Sequence, residues 1–237
     1  MLANQPSASN SSNTTLRLAV FDCDGTLVDS AHSIITSMQA ACLNLGHLEP
    51  EPADIRQMVG LPLEDAVARL FPDMEHDQVW AVREGFRDAF NKLRDKDEVH
   101  EPLYEGVVDT LRILDAAGWL LGVATGKALR GLKSTLATHD LHDHFVTLQT
   151  ADLSIGKPDP DMLHKAMSET GADAESTVMI GDTSYDMEMA RNAGTMAIGV
   201  TWGYHDVEEL IEAGAQKIVD TYDQIPQAID DLMKADS

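Results

Sequence analysis

Positive charge is scarce in this 237-residue chain: 17 lysines and arginines stand against 40 aspartates and glutamates, a formal net charge of −23. That balance argues against non-specific binding to nucleic acid or to an anionic membrane surface, both of which need positive charge. Small anionic ligands stay open, because exposed charges beyond about 8–10 Å are largely screened and one lysine with a bound cation can set a local field. Cysteine is also rare. Cys23 and Cys42 have a spacing that fits neither a metal knuckle nor a disulfide framework, and Cys23 reads as a reduced, buried thiol. No run of eighteen apolar residues occurs, so no spanning helix is expected. The opening MLANQPSASNSSNTT lacks the basic start and apolar middle of a secretory signal; residues 1–15 read as a disordered tail, and a cytoplasmic location is expected. No Gly-x-Gly-x-x-Gly follows a predicted strand. The stretch from Gly122 through Gly126 to Lys127 and Ala128 is one residue short of a phosphate-binding P-loop and lacks its Ser/Thr. Oligomeric state is not fixed by any feature of the sequence.

Apolar residues make up 43% of the chain, enough for a sizeable core, in one large domain or two modest ones. Leu16–Phe21 is a short apolar run that reads as a buried strand. Ser30 then offers a helix N-cap, and Ala31, Ile34, Ile35, Met38, Ala41, Cys42 and Leu45 recur at helical spacing until Gly46. Further helices are predicted at about 63–71 and 75–94, so residues 31–100 are expected to be all-helical. Beyond them Trp119–Ala124, Phe145–Leu148, Thr177–Ile180, Met196–Val200 and Lys217–Val219 read as strands alternating with helices. Such alternation implies parallel pairing with right-handed crossovers. The expected fold is therefore an α/β, doubly wound parallel-sheet core of Rossmann-like type over 16–30 and 101–237. The helical segment 31–100 is inserted after its first strand. His139, His142 and His144 cluster in THDLHDHF and read as a polar surface loop.

Ligands of open parallel sheets bind at the carboxyl ends of the strands, and the residues just past several of the strand ends here are polar. After the first strand come Asp22 and Asp24, in FDCDGTLVDS; after the second, Thr125; after the fourth, Gly181-Asp182-Thr-Ser-Tyr-Asp186. Between the last two lies Gly156-Lys157-Pro158-Asp159, a lysine on a loop just before a helix. Two like charges as close as Asp22 and Asp24 repel and are costly to desolvate. Solvated turn chemistry, a cation site, and a paired acid and nucleophile all remain readings of that pair. Asp186 stands one helical turn beyond Asp182 and faces the same way.

These residues resemble the four motifs of the haloacid dehalogenase superfamily: Asp-x-Asp-Gly-Thr, a Thr or Ser after the second strand, a Lys, and Gly-Asp-x-x-x-Asp. FDCDGTLVDS, GKPDP and GDTSYDM together are similar to the phosphatase branch that includes phosphoglycolate phosphatases. The resemblance implies that Asp22 is the nucleophile and Asp24 the general acid and base. Asp22, the backbone carbonyl of Asp24 and Asp182 would hold Mg²⁺, which suits oxygen-only ligands. Asp186 would hold a metal-bound water or Lys157, and Lys157 would neutralise the nucleophile and the phosphate. Thr125 and the amide of Gly126, with Gly25 and Thr26, would bind the phosphoryl group. The helical insertion falls where that superfamily carries its first type of cap domain. Val59-Gly-Leu-Pro-Leu63 resembles a cap specificity loop, and Arg56 on the preceding helix is a candidate for a second substrate anion. Before Lys92 the insertion has four arginines and no lysine, which argues against a phosphonatase with a cap Schiff base. The expected activity is Mg²⁺-dependent hydrolysis of a small phosphorylated metabolite, phosphoglycolate first, through an aspartyl phosphate. The alternatives are a sugar phosphomutase on the same scaffold and a phosphometabolite-binding module without turnover.

Overall fold

The computed structural model describes residues 15–235; the tail expected at the N-terminus lies, but for its last residue, outside them. Six strands form one parallel sheet: β1 (Arg17–Phe21), β2 (Trp119–Thr125), β3 (Thr147–Thr150), β4 (Thr177–Gly181), β5 (Met196–Val200) and β6 (Lys217–Val219). Their order is β3-β2-β1-β4-β5-β6. The chain runs outward from β1 through β2 to β3, returns to β4 beside β1, and runs outward again. The direction of winding reverses at β1, which places a crevice at its carboxyl end.

β1 is paired on both edges, with Ala19 opposite both Leu121 and Val178, and helices cover both of its faces, so Leu18 to Phe21 are fully buried. That is why it reads as a continuous apolar run rather than an alternating one. Ala19 and Phe21 point into a layer shared with α5 (Val107–Ala116), α6 (Leu129–Thr138) and α10 (Ile225–Ala235). Leu18 and Val20 point into the opposite layer, with α7 (Asp161–Thr170), α8 (Ser184–Ala193) and α9 (Val207–Ala213). The two layers result directly from the period-2 alternation of strand side chains.

Between β1 and α5 lie α1 (Ala31–Asn44), α2 (Pro52–Met58), α3 (Leu63–Leu70) and α4 (His76–Asp95). They bury a cluster of their own, with Met38, Cys42, Ile55, Val67, Val79 and Val82 at its centre. Pro52 opens α2, where its missing N–H is no loss. Glu75 and Gln78 close a reciprocal capping box at the start of α4. The two connections to the sheet run side by side, with the Asp29 amide donating to the Pro102 carbonyl at 2.9 Å. Among the described residues no helix is long and apolar enough to cross a membrane.

One strand lies two residues later than expected. The apolar pair Phe145-Val146 precedes β3, and pairing with β2 begins at Thr147 opposite Gly122. Val146 is 59% exposed, whereas Thr147 and Gln149 are buried. Their polar side chains both donate to Glu169 on α7, at 2.5 and 2.9 Å, so a hydrogen-bonded pair takes the buried positions there.

Candidate active site

Asp22 and Asp24 follow β1, and the Asp22 amide still donates to Ile180 on β4 at 2.9 Å, which holds Asp22 in line with the strand. Its Oδ1 accepts from the Cys23 amide at 2.6 Å and lies 2.9 Å from Lys157 Nζ. Its Oδ2 has no hydrogen-bond partner among the described residues. Burial pushes the Asp22 carboxyl up to about 7 against the pull of the Lys157 ammonium, and Asp186 and Asp24 add to the rise.

Lys157 comes from the loop before α7, and its side chain has no exposure. The ammonium sits between Asp22 and Asp186 Oδ1, the second at 2.5 Å. Burial alone would favour the neutral amine, but Asp186 and Asp22 hold it protonated, with its pKa raised. The start of α8 aims Asp186. Thr183 caps the helix, and its amide and hydroxyl both donate to Asp186 Oδ2, at 3.1 and 2.7 Å. This capping box leaves Oδ1 free for Lys157.

Asp182 completes the buried cluster. Thr26 Oγ1 donates to its Oδ1 at 2.7 Å, and the Tyr204 amide donates to its Oδ2 at 3.0 Å. Burial raises the Asp182 pKa, and Asp22 and Asp186 raise it further. Gly25, at φ +87°, and Gly203 lie against this carboxylate so closely that a Cβ on either would fall within 2.2 Å of an Asp182 side-chain atom. Among the described residues, the only trio of His, Cys, Asp or Glu whose ligand atoms gather within 4.8 Å is Asp22, Asp182 and Asp186. Of three buried carboxylates two share one ammonium, one carboxylate oxygen is unpartnered among the described residues, and burial resists ionisation of Asp22 and Asp182. An all-oxygen set in that state fits a hard divalent cation.

Asp24 takes a different partner. Its Oδ1 lies 3.0 Å from Lys127 Nζ, which also donates to Glu101 Oε1 at 2.7 Å. Burial works against the Lys127 charge, yet Asp24 and Glu101 raise its pKa. Glu101, in the second connection to the helical segment, also accepts from Thr135 Oγ1 at 2.7 Å, and His139 Nε2 meets its backbone carbonyl at 2.7 Å.

A cavity of about 470 Å³ lies between the sheet edge and helices α1–α4. Of the residues expected to act there, Asp22, Asp24, Thr125 and Gly126 line it. Lys157, Asp182 and Asp186 lie behind Asp22, buried. Gly25 and Thr26 do not line the cavity; Thr26 is fully buried, and both lie against Asp182. Arg56 is exposed because its neighbour Ile55 takes the inward face of α2, and the arginines on the cavity wall are Arg83, Arg87, Arg94 and Arg130. Gly126 packs so tightly on the helical segment that a Cβ would stand 2.8 Å from the carbonyls of Gly60 and Leu61.

Sequence reasoning passed over Lys127, Glu101 and Tyr204. Lys127 was within reach, since it comes two residues after Thr125 at the same strand end. Tyr204 lies beyond β5, whose carboxyl end is on the same edge; its hydroxyl is 3.2 Å from both the amide and the hydroxyl of Ser30. Glu101 carried no local signal.

A family model described as haloacid dehalogenase-like hydrolase matches residues 19–200. A probable phosphatase, IndB, of Dickeya dadantii is 37% identical over 93% of this chain and 96% of its own length. A phosphoglycolate phosphatase of Agrobacterium fabrum is 28% identical over 90% of this chain and 91% of its own. The crystal structure of a predicted phosphatase from Clostridium acetobutylicum superposes with a TM-score of 0.82 at 27% identity, covering 92% of this chain and all of that one.

Proposed function

The chain belongs to the haloacid dehalogenase-like hydrolase family, and from that premise we propose that it is a Mg²⁺-dependent, cytoplasmic phosphatase of small phosphomonoesters, phosphoglycolate foremost. The observation that carries this reading is Asp22: one oxygen is pinned by Lys157 and the Cys23 amide, and the other is unpartnered in a residue on the cavity wall. A carboxylate so held can attack phosphorus and form an aspartyl phosphate. Asp22, Asp182 and the backbone carbonyl of Asp24 would hold the cation, with Asp186 reaching it directly or through water. When bound, Mg²⁺ supplies positive charge that draws the phosphate oxygens toward a site otherwise rich in carboxylates.

The chain's own groups do the rest. Asp22 displaces the leaving oxygen in line, and Asp24 gives that oxygen a proton. A water then passes a proton to Asp24 and attacks the phosphorus, which frees Asp22 and inorganic phosphate. Lys157 offsets charge on Asp22 and on the phosphoryl oxygens, and Thr125 with the Gly126 amide donates to those oxygens. Residues 31–100 act as a cap that excludes bulk water from the intermediate.

The test is release of inorganic phosphate from a panel containing 2-phosphoglycolate, a sugar phosphate and pyrophosphate, with Mg²⁺ and then with chelator. The expected result is release that chelation abolishes and Mg²⁺ restores. No release from any member overturns the proposal, and transfer without free phosphate identifies a mutase.

A further inference from the structure

Four arginines on the cavity wall are a concentration of positive charge in a chain that has few, and they are not equivalent. Arg83 is 2.8 Å from Glu64 and 2.9 Å from Glu84. Arg87 is 3.0 Å from Glu84 and feels Asp152 as well. Both are therefore matched by carboxylates. Arg94, near the end of α4, has only the neutral Asn91 Oδ1 at 3.0 Å and the face of Phe90, 5.2 Å from the ring centroid. Arg130, in the first turn of α6, has no ion-pair or hydrogen-bond partner among the described residues.

These two come from opposite walls of the same cavity, Arg94 half-buried and Arg130 exposed, and the end of α4 reaches the first turns of α6. Arg94 Nη2 is 3.7 Å from the place a Cβ on Gly131 would occupy, one residue beyond Arg130. Lys127 Nζ, the partner of Asp24, lies 5.7 Å from the centroid of the same Phe90 ring that Arg94 covers. The cavity thus runs from the carboxylates at the strand ends, past one aromatic ring, to two guanidiniums that form no ion pair among the described residues. A guanidinium offers a rigid fork of donors suited to carboxylate or phosphate oxygens.

We propose that Arg94 and Arg130 together read a second anionic group on the substrate, a carboxylate or a second phosphate a few bonds from the phosphoryl group that is removed. This rests on the phosphatase reading above for its chemistry but concerns the far end of the cavity. One guanidinium belongs to the helical segment and the other to the sheet side. A substrate with a second anion therefore bridges the two walls, whereas one with a neutral tail engages neither guanidinium.

The experiment compares kcat/KM for 2-phosphoglycolate and pyrophosphate with that for ethyl phosphate, in wild type, Arg94→Gln and Arg130→Gln, after thermal unfolding has established that each variant is folded. The expected result is a preference for the anionic substrates that falls at least tenfold in each variant, mainly through KM, and that Arg94→Lys partly restores. A loss confined to 2-phosphoglycolate or to pyrophosphate identifies carboxylate or phosphate as the group read. Unchanged preference in both variants overturns the inference. A calorimetric arm is independent of turnover: 2-phosphoglycolate is titrated into Asp22→Asn protein with Mg²⁺, with and without Arg94→Gln. Binding weakened at least tenfold supports the anion reader even if no phosphoester is hydrolysed, and equal binding contradicts it.

Discussion

Two lysines stand at the carboxyl edge of the sheet, each between two carboxylates, under different conditions. Lys157 is enclosed, with Asp22 and Asp186 as neighbours and no exposed side-chain surface. Lys127 keeps about a tenth of its side chain exposed, lies on the cavity wall, and joins Asp24 to Glu101 in the connection to the helical segment. The enclosed pair of carboxylates has its positive charge built in by the fold and depends little on what enters. The cavity-facing group ties Asp24, the acid and base of the proposed reaction, to the connection that carries Glu101. A fixed charge suits a nucleophile; an adjustable one suits a group that must meet leaving oxygens of different shape.

The sharpest prediction for the enclosed site is Asp22→Asn. It removes the attacking oxygen, and phosphate release is expected to fall on the order of 10⁴-fold or more, alike for every substrate. Next comes Lys157→Met, which removes the ammonium paired with two buried carboxylates. Turnover is expected to fall by about 10³-fold. Stability in chelator should also fall, by about 3–5 kcal/mol, because one partner of a buried ion pair is gone, and a melting curve would show it. If Lys157→Met melts like wild type, the enclosed ammonium is not holding the site together.

Lys127→Met sharpens the contrast from the other side. It frees Asp24 and Glu101 without unburying them completely, so a loss of about 10²-fold is expected from a misplaced Asp24, differing between substrates with different leaving groups. A loss equal to that of Lys157→Met and uniform across substrates would erase the distinction between the two lysines. The mildest effect belongs to Thr26→Val. It deletes the 2.7 Å hydrogen bond to Asp182 and is expected to raise the Mg²⁺ concentration for half-maximal activity about tenfold. A Mg²⁺ titration of initial rates measures that shift.

Much of this arrangement was legible in the sequence, for reasons that differ by residue. Strand ends in a parallel sheet converge, so Asp22, Asp24, Thr125 and Asp182 could be assigned to one edge from alternation and order alone. Asp186 was legible as a helical-turn neighbour of Asp182, and its capping box explains why it turns toward Lys157. What could not be read was direction. Thr26 was read as a substrate contact, and its hydroxyl faces Asp182; Arg56 was a candidate for a second substrate anion, and its neighbour Ile55 takes the buried face. Sequence spacing gives the strand or helix a residue belongs to, not which of two adjacent side chains wins the buried position. β3 was misplaced because hydropathy marked Phe145-Val146, while Glu169 on a distant helix made Thr147 and Gln149 the buried residues. Lys127, Glu101 and Arg94 come together through three separate segments, and no local pattern records such a meeting.

The account stands on Asp22 taking up the phosphoryl group. Wild-type protein with Mg²⁺ and 2-phosphoglycolate, quenched in acid within a turnover and mapped by peptide mass spectrometry, should carry one phosphoryl group on the peptide containing Asp22, absent from Asp22→Asn. Steady phosphate release with that peptide unmodified, or with the phosphoryl group on another residue, would contradict it.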